Sequence, residues 1–279
     1  MILVIDGPRY SETWGDTSKQ YIPYQKQIAE QGTVFTSFYN DGTTNTVNGH
    51  AAITTGTYEA LDNTGAEIPV YPSIFQIWRN KTSSDSTKAW VVTTKDKLEV
   101  LSNCSQAEYA NKYRPLTDCG VNGLATGYRD DSTTLSHALN VLKTYSPDVM
   151  LIQFKEPDAS GHAANWNAYL NGISTTDRYA WRIFNFINDN KNYRGKTAFF
   201  ITNDHGRHLD GVLDGFVSHG CSCNGCRHIN LIAIGPDFKK GATITNHYGQ
   251  IDLTKTIADI LNITMPNSSG QAISELFAE

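Results

Sequence analysis

Long apolar runs are missing from this chain: none approaches the ~20 residues needed to span a bilayer, so no segment is a candidate membrane span. Excess positive charge is missing too. The 23 Lys and Arg against 28 Asp and Glu leave a formal net charge of −5 and a pI near 5.9. That argues against nucleic-acid binding, which needs a basic footprint. Charged residues make up only 18% of the chain, while Thr, Asn and Ser are plentiful, a balance that leans toward a periplasmic or secreted protein. No signal peptide precedes the first strand pattern, which starts at residue 2 and reads as a processed or trimmed N-terminus. Repeats, linkers and low-complexity tracts are absent, and 279 residues suffice for one large core, so a single domain over 1–279 is the economical reading.

Cysteine is scarce, with five residues: Cys104, Cys119 and the cluster Cys221, Cys223, Cys226. In an oxidising compartment the first pair could close a loop worth ~3 kcal/mol. Two readings of the cluster stay open, a locally bridged surface loop or a structural zinc completed by His228, since thiolates and imidazole suit that ion.

What the chain does have is three short apolar runs that each lead to aspartate. Ile2-Leu3-Val4-Ile5 meets Asp6, Val149–Phe154 leads to Asp158 with His162 four residues on, and Thr197–Thr202 leads to Asp204-His205. Runs of this kind between helical patterns read as buried parallel strands, and ligands bind beyond the carboxyl ends of such strands. Elsewhere, helices are expected over about 20–30, from Pro72-Ser73 through Trp78, from Asp131-Ser132 through Leu142, over Tyr179–Ile187, and from Asp252 to Leu261. Strands are expected over Thr33–Tyr39, Lys88–Thr94 and Ile229–Ile234. The alternation implies a layered α/β fold with a largely parallel sheet. Residues 95–130 show no clear periodicity and are read as a small lid.

Taken singly, Asp6-Gly7, Asp158 and Asp204-His205-Gly206 are ordinary turn or cap residues. Together, three carboxylates and two histidines at strand ends repel one another or stay unsatisfied without a cation between them. Asp and His ligands suit zinc or manganese. Thr46 enters a helical stretch, where backbone N–H groups favour an anion, although on local sequence alone a plain N-cap is the better explanation.

The order Asp6, Thr46-x-x-Gly49-His50 with Thr55-Gly56, Pro157-Asp158-x-x-Gly161-His162, Asp204-His205-Gly206 and His219-Gly220 resembles the alkaline phosphatase superfamily. More narrowly, it is similar to the branch holding nucleotide pyrophosphatase/phosphodiesterases and cofactor-independent phosphoglycerate mutases. The resemblance implies a three-layer α/β fold, a largely parallel central sheet flanked by helices, and two divalent metal ions, zinc first and manganese second. Asp6, Thr46, Asp204 and His205 would hold one metal, and Asp158, His162 and His219 the other. Thr46 would be the nucleophile. Where relatives place an asparagine just before the motif histidine as a donor to the transferred group, this chain has Gly49, so either Asn48 or Asn45 serves or the donor is lost. His219 is preferred to His228 as third ligand because it keeps the His-Gly pair. His208 is expected to support a metal ligand, and His50, His137 and His247 to be structural. The short interval from His205 to His219 leaves no room for a covering insertion.

The expected activity is hydrolysis of a small phosphate ester, with a lean toward diesters because no arginine is evident to grip a second charged oxygen, although Lys155 and Arg207 lie close in sequence to Asp158 and Asp204. A sulfatase is the nearest alternative, yet the Cys/Ser-x-Pro-x-Arg sequence that yields formylglycine does not occur. A mutase is disfavoured, since no second domain for a sugar phosphate is evident among these residues. A metal-binding relative without turnover is the alternative from another class. Nothing in the sequence indicates an oligomeric state.

Overall fold

The computed structural model describes residues 1–278. In chain order these form β1 (Ile2–Ile5), α1 (Pro23–Ala29), β2 (Thr33–Tyr39), α2 (Thr46–Thr55), α3 (Ile74–Thr82), β3 (Ala89–Thr93), β4 (Leu116–Cys119), α4 (Asp131–Tyr145) and β5 (Val149–Phe154). There follow α5 (Asp158–His162), α6 (Trp166–Asp189), β6 (Phe199–Thr202), α7 (Asn224–Arg227), β7 (His228–Ile234), β8 (Ala242–Ile244), β9 (Tyr248–Gly249) and α8 (Gln250–Ile260). The chain divides into two compact units. Among the described residues, one comprises 1–40, 154–247 and 275–278, the other 41–153 and 248–274.

In the first unit the strands run β1-β6-β7-β2-β8. β1 and β6 are parallel, with Val4 opposite Thr202, so their carboxyl ends emerge side by side. Every residue of both strands is buried, which is why they read as unbroken apolar runs rather than alternating ones. β7 runs antiparallel to both β6 and β2, a local exception to a largely parallel α/β fold. Helix α6 extends well past the expected Tyr179–Ile187. It begins at Trp166, where Asn165 accepts a hydrogen bond from Ala168 N at 3.0 Å. Tyr169, Ile173, Ala180, Ile183 and Ile187 line its buried face at helical spacing. Tyr169 and Ile173 close a small core with Ile22. From this helix, the Asp177 carboxylate accepts from Tyr24 N and Gln25 N at 2.9 and 2.8 Å, capping α1.

In the second unit β4-β3-β5 are all parallel. The 95–130 interval is not without regular structure. Residues Asp96–Ser102 form a 3-10 turn, and Leu116–Cys119 add strand β4 beside β3. α2 is buried along its whole length, and Ala51 packs with Leu98 and Leu101. Thr254 Oγ1 of α8 donates to Ala52 O and Ile53 O at 3.0 and 2.8 Å, tying α8 to α2. α8 starts at Gln250, so Asp252 is not its first residue; its carboxylate reaches back to accept from Gly249 N at 2.8 Å. Cys104 and Cys119 are buried thiols and do not bond to each other. Among the described residues no helix is long and apolar enough to cross a membrane.

Candidate metal centre

Strand pairing in the first unit decides where the acidic residues go. Asp6 leaves β1 and Asp204-His205 leave β6, and the parallel register brings them together fully buried. His205 Nε2 lies 3.5 Å from Asp6 Oδ1 and 3.4 Å from Asp204 Oδ2. The other oxygen of Asp204 accepts from Gly7 N at 3.2 Å and His205 N at 2.9 Å, which fixes the carboxylate's orientation. His205 Nδ1 lies 2.9 Å from Gly206 O. A carbonyl only accepts, so Nδ1 carries the hydrogen and the Nε2 lone pair faces the two carboxylates.

A second group forms where the chain leaves Phe154. Asp158 and His162 stand four residues apart on α5, which puts them on one helix face. His162 Nε2 and His219 Nε2 lie 3.3 and 3.4 Å from Asp158 Oδ1, and 3.1 Å from each other. Asp158 is buried while the His162 side chain is half exposed, so this group opens to solvent. The His205 and His219 rings stack with centroids 3.7 Å apart, so the two groups share a wall. His228, the other candidate for third ligand, lies elsewhere. Its Nε2 is 2.8 Å from Thr36 O, and its ring stacks on Tyr10 and Tyr39 at 3.7 and 4.6 Å.

The donor sets fit divalent cations. Ligand atoms held tetrahedrally at ~2.0–2.1 Å lie ~3.3–3.4 Å apart; His205 Nε2 stands 3.5 and 3.4 Å from the carboxylates of the first group, and the three edges of the second run from 3.1 to 3.4 Å. Oxygen and imidazole donors of this kind suit zinc or manganese.

Arg207 enters the same region. Its buried guanidinium donates to Asp158 Oδ1, Phe216 O and Val217 O. A carboxylate oxygen has two lone pairs, so Arg207 leaves Asp158 able to bind a cation. The arginine also explains the glycine of Pro157-Asp158-x-x-Gly161-His162, because a Cβ at 161 would lie 2.6 Å from Arg207 Cζ. Gly206 is required for a similar reason, as a Cβ there would meet Gly225 O at 2.1 Å.

In the second unit Thr46 is the first residue of α2 and is buried. Lys95 Nζ, also buried, donates to Thr46 Oγ1 at 3.2 Å. Asn48 directs its amide elsewhere, with Nδ2 donating to Glu59 O and Leu61 O at 2.9 and 3.1 Å. The His50 imidazole is 2.8 Å from Thr46 O, and burial pushes its pKa down to about 3, so it stays neutral. His137 pairs with Asp118 at 2.8 Å, and His247 stacks on Tyr39 at 4.8 Å. His208, expected to support Asp204, instead lies with Cys221, Cys223 and Cys226. Sequence reasoning did not find Lys95, which stands in no motif. It noted Arg207 only for its nearness to Asp204 in sequence.

Comparisons with known proteins give the family and the fold. The family model described as type I phosphodiesterase / nucleotide pyrophosphatase matches residues 1–208. A 2,3-bisphosphoglycerate-independent phosphoglycerate mutase from Antithamnion sp. is 30% identical over 118 residues, covering 42% of this chain and 22% of the mutase. The chain thus matches under a quarter of that relative's length. A solved protein of the alkaline phosphatase superfamily from Vibrio parahaemolyticus superposes with a TM-score of 0.73 at 13% identity, covering 99% of this chain and 69% of that one. Murine ectonucleotide pyrophosphatase / phosphodiesterase 5 superposes with a TM-score of 0.67 at 13% identity over 99% of both chains. The fold is therefore alkaline-phosphatase-like.

Proposed function

Because the chain belongs to the type I phosphodiesterase / nucleotide pyrophosphatase family, we propose that it hydrolyses phosphoesters with Thr46 as nucleophile and two divalent metal ions, most simply zinc. The observation that carries this reading is the pair of ligand groups sharing the His205–His219 wall, in which each histidine nitrogen stands 3.3 to 3.5 Å from its carboxylates. Asp6, Asp204 and His205 would hold one ion and Asp158, His162 and His219 the other, and such ions would supply Lewis-acid stabilisation of the charge that develops in phosphoryl transfer.

The remaining steps belong to the chain's own side chains. Lys95 donates to Thr46 Oγ1 and so favours its ionised form, which a threonine hydroxyl at neutral pH needs in order to attack. Thr46 Oγ gives up its proton to solvent and bonds to phosphorus as the bond to the ester oxygen breaks, that oxygen taking a proton from solvent; water then displaces Thr46, losing one proton as Thr46 Oγ regains one, to release the phosphate product. Asn48, first given the donor role, holds the 59–61 segment with its amide instead. Arg207 balances part of the charge on Asp158 and fixes the carbonyls of Phe216 and Val217, just before His219.

Arg207 adds to the positive charge of the two ligand groups. Three carboxylates stand against two divalent ions and Arg207, a net surplus of positive charge that accepts a monoester dianion as readily as a diester. The absence of an arginine thus no longer separates the two substrate classes. Family membership favours the diester. The test is to compare kcat/KM for bis-aryl phosphate, aryl phosphate and aryl sulfate on one zinc-loaded preparation. Highest efficiency on the bis-aryl phosphate is expected. Preference for the sulfate would overturn the reaction class, and strong preference for the monoester would overturn the choice of diester.

A further inference from the structure

We propose that Cys221, Cys223, Cys226 and His208 hold a structural zinc ion separate from the candidate catalytic metals. The four side chains offer ligand atoms that all lie within 4.8 Å of one another. Cys221 Sγ and Cys226 Sγ are 3.7 Å apart. Sulfurs bound tetrahedrally at ~2.3 Å stand ~3.8 Å apart, whereas a disulfide holds them at ~2.05 Å.

The histidine supplies the second, independent observation. His208 is 2% exposed. Its Nδ1 is 2.8 Å from Asp214 Oδ1, and Ser218 Oγ donates to that same oxygen at 2.8 Å. A carboxylate acceptor requires the hydrogen on Nδ1, which leaves a lone pair on Nε2. Among the described residues this buried Nε2 meets no hydrogen-bond partner. Carboxylate to Nδ1–H with Nε2 turned to the ion is the arrangement in which metal-bound histidines are commonly oriented. His228 is two residues from Cys226 in sequence, but its Nε2 is occupied at Thr36 O.

Three thiolates and one imidazole close a tetrahedron and leave no position for substrate, which marks the site as structural rather than catalytic. Its place in the fold gives it a task. Cys226 O accepts from Gly206 N at 2.8 Å, and His208 N donates to Ser218 O at 3.2 Å. The segment gathered between these bonds carries Arg207, Phe216, Val217 and His219. A zinc ion at its base would hold His219 toward Asp158 in a loop with little regular structure of its own. The site stands on its own ligands and does not depend on the hydrolytic reading.

Cobalt reconstitution tests this without relying on activity. Metal-stripped wild-type protein, shown to be folded by circular dichroism, is loaded with Co²⁺. A thiolate-to-cobalt charge-transfer band in the near ultraviolet is expected, which Asp and His ligands cannot produce. Cys223→Ser and His208→Ala should each bind one zinc ion fewer per chain, Cys223→Ser with a weakened band. A mercurial thiol reagent should release one zinc ion from wild type. Folded wild type lacking the band, or an intact mass lower by two hydrogens with a Cys221–Cys226 linkage, would overturn the proposal.

Discussion

Arg207 and a metal ion are both drawn to the same carboxylate, and that competition can be measured. The guanidinium is fully buried and divides its donors among Asp158 Oδ1, Phe216 O and Val217 O. Arg207→Met keeps most of the volume and removes the charge. In chelator-treated protein the substitution takes the guanidinium charge from the buried Asp158 and leaves it beside His162 and His219, and breaking a buried pair costs up to about 3–5 kcal/mol. Two backbone carbonyls also lose donors, at ~1 kcal/mol each. With saturating zinc, the cation neutralises Asp158 itself, so only the carbonyl part, about 2 kcal/mol, should remain. The difference means that the native variant binds metal more tightly than wild type, by about tenfold for each 1.4 kcal/mol recovered. Urea unfolding of both proteins, with chelator and with zinc, reads all four corners of this cycle. An equal loss of stability with and without metal would refute the assignment of Asp158 as a ligand.

Lys95→Met should lower kcat by roughly 10², the scale of losing one donor to a developing anion, while KM changes little. The alkaline shift of the acidic limb in the pH–rate profile would distinguish activation of Thr46 from a packing defect. His50 gives a pH prediction. Its folded pKa of about 3 lies below the ordinary 6.5, so its contribution to stability is present above pH 6.5 and is lost as pH falls toward 3. At 1.36 kcal/mol per pH unit, about 2 kcal/mol disappears between pH 6.5 and pH 5. His50→Gln should remove that slope, read as the pH dependence of the stability difference between the two metal-free proteins.

What could be read in the sequence follows from how local each signal is. Asp6, Asp158, His162, Asp204 and His205 stand within a few residues of the apolar strands that aim them, so strand pattern and motif order were enough. Lys95 and Arg207 act across 49 residues of sequence, on Thr46 and Asp158 respectively, and no local spacing encodes such an approach. For the cysteine cluster, sequence proximity suggested His228. That residue opens β7 opposite Tyr39, and the pairing turns its ring into an aromatic stack, while His208 reaches the thiols from the preceding loop. Strand β4 escaped because it is only four residues long, with polar Thr117 and Asp118 at its centre. The first half of α6 was hidden by Asn171, Gly172, Ser174 and Thr175, weak helix formers that hold the helix only because Tyr169 and Ile173 are buried.

The most direct test of the account is to stop turnover of an aryl phosphate ester with acid and locate the trapped phosphoryl group by peptide mass spectrometry. The account predicts a phosphorylated Thr46 in wild type. It also predicts a phosphorylated serine with reduced turnover in Thr46→Ser, and neither label nor turnover in a folded, metal-loaded Thr46→Ala. Phosphate trapped on another residue, or undiminished turnover by Thr46→Ala, would contradict it.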